Sequence, residues 1–233
     1  MNILKSINDP IHGYMQFEKW AIKFIDTPHF QRLRDIKQLG TAFYVFPGAT
    51  HSRFEHSLGT AHLAYTLTKK LQEQLRNEKR QQRNEAKKRL RLSGSDNDRY
   101  ENYDDGSEND ENDLRNLKCV TLAALCHDLG HGPYSYLFYR DLIGNRLKDE
   151  NWDPKDGSIM MFEDIIKNLI KLESIELKKE DGEFIKALIK GETTLLDKSN
   201  KRPEYLFDIV NNKRNSIDVD KFDYLARDCY YSG

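Results

Sequence analysis

The hydrophobic positions along this chain recur mostly with helical spacing. Phe30, Leu33 and Ile36 follow Thr27 and Pro28, which are a good helix cap and a proline suited to the first helical position. The spacing therefore predicts a helix that begins at this point.

The same spacing predicts several longer helices. Residues 114–129 are almost all apolar from Cys119 onward, so this helix should be central to the fold. Further amphipathic helices are expected at 54–71, 159–172, 183–192 and 216–229, the last with Ser216 or Asp218 as its cap. In the first of these, the inward face is formed by Phe54, Leu58, Ala61, Ala64 and Tyr65.

Only short strands are plausible, at YMQF (14–17) and AFYVFP (42–47). No internal repeat is apparent. The pattern of hydrophobic positions therefore predicts an all-α fold with a few short strands.

Charge changes this picture in one region. The chain has 37 Lys and Arg against 38 Asp and Glu, a net charge of -1, so total charge indicates no polyanionic partner. The net charge is small because a basic block at 69–92 and an acidic block at 96–113 offset each other. We expect the first to extend the preceding helix and the second to be a disordered surface loop, which makes about 76–113 a charged, low-complexity insertion. The segment KRQQRNEAKKRLR (79–91) is either a solvated face or a nuclear-import or nucleic-acid contact.

Other bulk features limit the class of protein. Cys119, Cys126 and Cys229 have unrelated spacings and form neither a disulfide framework nor a zinc motif. The N-terminus has no secretory pattern, and no stretch approaches the roughly 20 apolar residues of a membrane span. We therefore expect a soluble intracellular protein without a membrane partner.

The candidate chemistry lies in ALCHDLGHGPYSYLF (124–138), where His127 and Asp128 interrupt an apolar run. A His-Asp pair alone is more often structural than metal-binding. Two other segments supply a second imidazole, His56, and a second carboxylate, Asp220. This mixed nitrogen and oxygen set suits Mn, Fe, Zn or Mg, and such a metal can activate a water molecule.

Longer blocks make the comparison more specific. The chain contains, in order, INDPIHGY, IDTPHFQRLRDIKQLG, YVFPGATHSRFEHSLGTAHLA, CHDLGHGPYSYLF, GSIMMFE and IDVDKFDYLARDC, which together span residues 7–229. With these blocks it resembles the deoxynucleoside triphosphate triphosphohydrolases of the HD superfamily. The resemblance implies a helical HD-domain core over 1–233 that is partial, truncated at the C-terminus and without a SAM domain.

The resemblance also implies roles for matching positions. A divalent metal would be bound by His56, His127, Asp128 and Asp220, and His131 would act at the scissile phosphate. The triphosphate and the deoxyribose would be held by Arg53, Lys221, Tyr224, Gln38, Asp228 and Leu39, with Gln38 and Asp228 on the sugar 3′-hydroxyl. A nucleotide activator at a subunit interface would be bound by Asn8, Asp26, Gln31 and Arg34. The expected substrates are deoxynucleoside triphosphates of the dGTP type, the expected assembly is a homo-oligomer, and the expected location is the nucleus or, alternatively, the cytoplasm.

The chain departs from the family pattern beside the ligands. Tyr136 and Pro154 stand where the family has histidines, and Tyr139 stands where it has an aspartate. Tyr230 replaces a further histidine near the end, and Ser6 an apolar residue in the activator set. Tyrosine is a poor proton donor at neutral pH compared with histidine.

Three hypotheses follow from this sequence. The chain is a working triphosphohydrolase, or an impaired module that binds nucleotide or a full-length relative and regulates without hydrolysis, or a simpler phosphomonoesterase. The retained substrate-contact set disfavours the third hypothesis. Outside these sets, structural positions in a turn, at the surface, in a loop and on a helix face are expected for His12, His29, His51 and His62.

Overall fold

Eight α-helices and one β-hairpin are the main elements of the described part of the chain, and short 3-10 and π-helical segments lie between them. The computed structural model describes residues 4–92, 107–146, 152–172, 177–197 and 202–233, with 175 and 200, and gives the backbone alone at 90–92 and 107–110. The elements, in order, are β1 (Leu4–Asp9), β2 (Gly13–Glu18), α1 (Lys19–Ile25), α2 (Pro28–Gln31), α3 (Arg53–Leu92), α4 (Ser107–Cys126), α5 (Pro154–Lys171), α6 (Lys179–Lys190), α7 (Tyr205–Val210) and α8 (Val219–Ser232). The prediction of an all-α fold with short strands is confirmed.

Helix α4 lies at the centre of the fold, as its apolar run predicts. It is buried from Cys119 to Cys126 and packs against α3, α6 and α7. Helix α8 packs against α3. The first turn of α3, the end of α4 and the first turn of α8 therefore meet, which brings His56, His127 and Asp220 into contact.

Local signals in the sequence place several helix ends. Thr27 caps α2 by accepting a hydrogen bond from the Phe30 amide. Asp218 caps α8 by accepting one from the Lys221 amide at 3.2 Å. On α3 the predicted inward face is buried, apart from Tyr65, which is half-buried.

The strand predictions are right for one segment and wrong for the other. YMQF lies in β2, which pairs antiparallel with β1. AFYVFP forms a 3-10 turn at Ala42–Tyr44 instead of a strand, and Tyr44 and Phe46 are exposed. A short apolar run needs a neighbouring strand for its backbone, and the described ranges place none beside it. The sequence pattern did not predict β1, α1 and α7.

The charged insertion is more helical than its composition predicts. The basic block extends α3 to Leu92, as expected, and the helix is exposed from Glu73 to Arg89. In the acidic block, residues 107–113 belong to α4, so the prediction of a disordered loop is wrong there, while 96–106 lie outside the described residues. Packing of this turn on α3 compensates for its composition, since Gln72 donates a hydrogen bond to the Asp113 carbonyl at 2.8 Å.

Candidate active site

His127 and Asp128 lie in the turn that follows α4, whereas the sequence predicts them at the C-terminal end of that helix. The helix ends at Cys126, and the next turn is closed by hydrogen bonds from the Leu129 amide to the Cys126 carbonyl and from the His131 amide to the Asp128 carbonyl, each 3.2 Å. Consecutive helical residues point about 100° apart. Because His127 and Asp128 have left the helix, both can face the same site.

Arg32 holds this turn from the segment after α2. Its guanidinium donates to the carbonyl of His131 at 2.9 Å and also to the carbonyl of Leu129. Carbonyls in the turn beyond a helix end lack partners within the helix, so the half-buried guanidinium of Arg32 is a suitable donor for them. Arg32 thereby fixes the backbone next to the candidate ligands.

Gly130 allows α5 to approach the same turn. Its amide donates to Ser158 Oγ at 2.8 Å, and the Ser158 hydroxyl donates to the His127 carbonyl at 2.7 Å. A Cβ atom at position 130 would lie 1.9 Å from the Pro154 carbonyl oxygen, so a side chain would separate the two elements. The first turn of α5 therefore lies directly against the turn that carries His127 and Asp128.

Two imidazoles and two carboxylates converge at this point. His56 Nε2 lies 3.0 Å from Asp220 Oδ1 and 3.5 Å from Asp128 Oδ2. His127 Nε2 lies 3.4 Å from Asp220 Oδ1 and 3.3 Å from Asp128 Oδ1. Each carboxylate thus reaches both imidazoles. The ligand atoms of His56, His127 and Asp128 all lie within 4.8 Å of one another.

Each of the two imidazoles is oriented by a hydrogen bond at Nδ1, the ring nitrogen that faces away from the cluster. His56 Nδ1 lies 2.7 Å from Asp223 Oδ2, and His127 Nδ1 lies 2.7 Å from the Ala124 carbonyl oxygen. Both of these oxygens can only accept, so each Nδ1 carries a proton and donates it. In each neutral imidazole, Nε2 is then the atom with the free lone pair, and it faces the cluster.

This donor set fits a divalent metal. Both Nε2 atoms are buried and make no hydrogen bond within the described part of the chain, although buried polar atoms normally have a partner. For bonds of about 2.1 Å, neighbouring ligands of an octahedral ion lie about 3.0 Å apart. The spacings of 3.0 to 3.5 Å between the imidazole and carboxylate atoms are close to that value.

The charges of the site also favour a cation. Burial alone lowers the pKa of His56, but the nearby carboxylates of Asp220, Asp223 and Asp128 outweigh it and raise this pKa to about 10. Burial likewise opposes the shift at His127, whose pKa is raised by Asp128 and Asp220. The protons that these carboxylates hold on the imidazoles occupy the atoms that a metal would bind.

His131 differs electrostatically from the two other histidines. Burial is the main reason that its pKa falls to about 4, and the positive charge of Arg53 acts in the same direction. Its Nε2 lies 3.5 Å from Asp128 Oδ1, and its Nδ1 is buried without a hydrogen bond to any described residue. His131 is therefore neutral at neutral pH and lies beside the cluster.

Arg53 is paired with a candidate ligand in this structure. Its guanidinium donates to Asp128 Oδ2 and, at 2.7 Å, to Ser135 Oγ. Burial raises the pKa of Asp128, but Arg53 and then the histidines outweigh it and hold this pKa well below its usual range. Tyr134 and Ser135 are consecutive residues with positive φ, 59° and 52°, an unfavourable conformation for side chains other than glycine. The strained turn places Ser135 against Arg53.

The three expected sugar contacts lie on two sides of the site. Gln38 and Leu39 line a cavity of about 370 Å³, together with Tyr136 and Arg140. The Gln38 side chain is largely buried, and its Oε1 makes no hydrogen bond to a described residue. Asp228 accepts a hydrogen bond from His51 Nε2 at 2.6 Å.

The two remaining triphosphate candidates lie on α8 beside Asp220. Lys221 is in the first turn of the helix and is half-buried. The ring of Tyr224 lies 6.4 Å from the ring of His56, centroid to centroid, in an edge-on arrangement. Both side chains are therefore on the element that brings a carboxylate to the cluster.

The four activator candidates line a separate cavity of about 550 Å³. Asn8 comes from β1, Asp26 follows α1, and Gln31 and Arg34 lie on the following turns. Arg34 donates to Gln31 Oε1 at 2.8 Å and stacks 3.6 Å from the centroid of the Phe54 ring. The structure thus brings together the four residues that the sequence grouped.

Two of the residues that depart from the family pattern, Tyr139 and Tyr136, pack together beside His131. The ring of Tyr139 is 5.9 Å from the ring of His131, and Tyr136 packs edge-on against Tyr139 at 4.8 Å. Pro154 is the first residue of α5, with Asp153 as its cap. By contrast, Tyr230 is exposed near the end of α8.

Sequence reasoning missed two paired histidines and the acid behind His56. His12 Nε2 lies 2.6 Å from Asp223 Oδ1, and His51 is buried against Asp228, so neither is an isolated turn or loop residue. Asp223 itself was not singled out. A signal existed, because the buried face of α8 carries Asp223 and Arg227 at helical spacing where a core would place apolar residues.

The sequence is similar to one known domain family and to several curated proteins. The sequence matches the family described as HD domain over residues 53–228. It is 42% identical over 245 residues to the deoxynucleoside triphosphate triphosphohydrolase SAMHD1 of Homo sapiens, covering 100% of this chain and 34% of the relative. It is 41% identical over 244 residues to the SAMHD1 of Bos taurus, covering 99% of this chain and 36% of the relative. It is 40% identical over 233 residues to the SAMHD1 homolog of Dictyostelium discoideum, covering 98% of this chain and 37% of the relative. The chain spans about a third of the length of these curated relatives.

Proposed function

The chain belongs to the HD domain family, which it matches over 53–228, and on that premise we propose that it hydrolyses deoxynucleoside triphosphates to the deoxynucleoside and triphosphate with the help of a divalent metal. The names of its relatives support this reaction class. The observation that carries the proposal is the pair of buried imidazole Nε2 atoms, each within 3.5 Å of two carboxylates.

The metal would be held by His56, His127, Asp128 and Asp220. Mn, Fe, Zn and Mg are all compatible with a set of two nitrogens and two carboxylate groups. When bound, such an ion polarises a phosphate and lowers the pKa of a water molecule.

His131 would serve the reacting phosphate with its neutral imidazole. The low pKa leaves a lone pair available at neutral pH, so the ring can accept a hydrogen bond or a proton from an attacking water. A triphosphate beside it would bring negative charge, which favours the protonated imidazole. Attack of the water on the α-phosphorus would break its bond to the 5′-oxygen of the deoxynucleoside, and the protonated ring would give its proton to that oxygen.

Arg53, Lys221 and Tyr224 would hold the triphosphate. Arg53 now neutralises Asp128, and a metal on that carboxylate would free the guanidinium for a phosphate. Guanidinium and ammonium groups are the usual partners of phosphate oxygens. Ser135 would keep Arg53 oriented during this exchange through the 2.7 Å hydrogen bond.

The deoxyribose would lie between Gln38, Leu39 and Asp228. The carboxylate of Asp228 would accept the proton of the 3′-hydroxyl, and the amide NH2 of Gln38 would donate to the hydroxyl oxygen. Leu39 would cover the carbon face of the sugar. We further propose that dGTP is preferred among the deoxynucleoside triphosphates.

A nucleotide activator would occupy the second cavity. Asn8, Asp26, Gln31 and Arg34 offer hydrogen bonds and one cationic group around a space of about 550 Å³. Binding there would accompany assembly of several copies of the chain. We also propose that residues 1–233 belong to a single HD domain, with an insertion at about 76–113. Nucleic-acid contact through 79–91 and a location in the nucleus or cytoplasm stay predictions; within the described ranges, every helix is too short or too polar to span a bilayer.

A product assay tests the proposal. Metal-loaded protein is incubated with dGTP and either Mn²⁺ or Mg²⁺, and triphosphate and deoxyguanosine are separated by ion exchange. The double variant His127→Ala with Asp128→Ala is the blank. Formation of both products above this blank is expected. Release of single phosphates instead would indicate the phosphomonoesterase.

A second candidate is a module that binds nucleotide, or a full-length relative, without hydrolysing it. Tyr139, at 5.9 Å from His131, favours it because a phenol stands where a carboxylate would orient that histidine. Nucleotide binding at one equivalent of metal with no product above the blank would support this candidate and overturn the enzyme.

A further inference from the structure

Asp223 is a fully buried carboxylate whose two oxygens are both occupied by donors. Oδ2 accepts from His56 Nδ1 at 2.7 Å and from Arg227 Nε at 2.9 Å. Oδ1 accepts from His12 Nε2 at 2.6 Å and from Arg227 Nη2 at 2.9 Å. With four donors on it, Asp223 has no free position for a metal and is not itself a ligand.

The groups that hold Asp223 are themselves fixed. Arg227 is completely buried and also donates to Asp9 Oδ2 at 2.8 Å. Asp9 Oδ1 accepts from the backbone amides of Ile11 and His12 at 2.9 and 3.0 Å. The hairpin turn between β1 and β2 is therefore tied to the inner face of α8.

The sequence makes room for this carboxylate on α3. Gly59 lies one turn beyond His56, and a Cβ atom there would be 1.8 Å from Asp223 Oδ1 and 2.7 Å from Arg227 Nη2. Glycine inside a helix destabilises it by about 0.5 to 1 kcal/mol relative to alanine. The close approach of Asp223 to α3 explains a residue that helix propensity disfavours.

A purely structural ion pair does not account for this arrangement. Replacing a buried ion pair by apolar side chains is often neutral or stabilising, so stability alone gives little reason for Asp223 and Arg227. Asp181 is the useful comparison: it is also buried and pairs with Arg115 and Arg202, but within the described part of the chain it contacts no histidine ligand. What distinguishes Asp223 is its hydrogen bond to the ring nitrogen of His56 that faces away from the cluster.

We propose that Asp223 is the positioning residue of His56, with His12 and Arg227 holding it in place. Its carboxylate keeps the proton of His56 on Nδ1 and fixes the ring plane, so that Nε2 presents its lone pair to the metal. The inference rests on the metal centre proposed above. Such partners of ligand histidines typically change metal affinity by about 10- to 100-fold when removed.

The test compares Asp223→Asn with Asp181→Asn in the full chain. Metal-free protein is titrated with Co²⁺, whose visible absorption gives the affinity and reports the ligand geometry, and thermal unfolding of the metal-free proteins gives the stability. We expect D223N to bind Co²⁺ about 10- to 100-fold more weakly, with a changed spectrum. D181N should lower the melting temperature and leave both the affinity and the spectrum as in the wild type.

Two further variants cover the case in which D223N does not fold. His12→Ala removes one donor to Asp223 and should weaken Co²⁺ binding by roughly threefold or more, in line with the loss of one hydrogen bond to a charged group. His12→Gln retains a donor and should restore most of the affinity.

The outcomes separate the inference from the proposed function. Wild-type affinity and spectrum in D223N or H12A, despite lower stability, would overturn the positioning role while leaving the metal centre in place. A wild-type chain that binds no Co²⁺ would overturn the metal centre itself, and the positioning role with it.

Discussion

The two sides of the candidate site are built from different kinds of side chain. One side, here called the ligand side, consists of His56, His127, Asp128 and Asp220, with Asp223 behind them. The other, the tyrosine side, consists of residues 134–140. On the ligand side Asp223 lies within hydrogen-bond distance of four donor atoms, and Asp128 and Asp220 each contact both imidazoles. On the tyrosine side, Tyr134 and Tyr136 are about half exposed.

The backbone is also more regular on the ligand side than on the tyrosine side. The ligand side is carried by regular helices and one turn that Arg32 and Ser158 hold by hydrogen bonds. The tyrosine side begins with two left-handed residues and continues into a π-helical segment at Phe138–Arg146. Buried, mutually paired charges require fixed neighbours, whereas exposed rings tolerate change. Metal binding and proton transfer should therefore respond separately to mutation, which the following experiments examine.

The largest effect is expected at the ligand side. His56→Ala removes an imidazole whose Nε2 meets both carboxylates and leaves these carboxylates close together. Metal affinity should fall more than about 100-fold, since a whole ligand is lost. The measurement is metal content after dialysis, with His29→Ala as control, because His29 pairs with Asp164 near the surface. Equal metal retention by the two variants would show that the ion is bound elsewhere.

A backbone position behind the ligands should be nearly as sensitive. In Gly59→Ala the new Cβ would overlap Asp223 Oδ1, so the free energy of unfolding should fall by about 2 kcal/mol or more. Gly182 in α6 is the matched control, because a Cβ there meets nothing within 4 Å. Gly182→Ala should instead stabilise by about 0.5 to 1 kcal/mol. Urea unfolding of both variants measures the change in the free energy of unfolding. If this free energy changed in the same direction in both variants, the close packing at Gly59 would be contradicted.

Metal binding on the ligand side should depend on pH, because protons compete with the metal for the imidazoles. Asp220 and Asp223 raise the pKa of His56 to about 10 against the effect of burial, so at neutral pH a bound ion must displace a proton from the metal-free protein. Apparent affinity for Mn²⁺ should rise with pH, by about tenfold per unit for each proton displaced, between pH 6 and 8. Calorimetry in two buffers of different ionisation enthalpy counts these protons. A count of zero at pH 7 would mean that His56 is already neutral.

The smallest effect on metal binding is expected from the tyrosine side. The double variant Tyr136→His with Tyr139→Asp would give His131 a carboxylate neighbour and would add a fourth imidazole to His56, His127 and His131. If proton transfer limits the reaction, turnover of dGTP should rise by about tenfold or more, with metal affinity unchanged. Tyr230→His, on the exposed end of α8, is the control. An altered metal affinity in the double variant would show that the two sides are not separable.

Local pattern was enough for most of the fold. Helical spacing predicted the inward face of α3 and the central position of α4, and capping rules placed Thr27 and Asp218. These features depend on neighbours within a few residues, so they can be recognised in the sequence. The apolar run at 42–47 failed as a strand because strand formation depends on a partner that local pattern does not specify.

For the candidate site, the residue types were visible in the sequence and their connections were not. The sequence by itself determined that His56, His127, Asp128 and Asp220 form a plausible ligand set, because their chemistry and the surrounding blocks are local properties. Only the tertiary structure decided that His12, Asp9 and Arg227 converge on Asp223 behind His56. Asp9 and Arg227 are 218 positions apart in the chain, and no periodicity encodes a contact at that separation. Packing of the hairpin, α3 and α8 brings these residues together, and burial then makes each charge depend on the others.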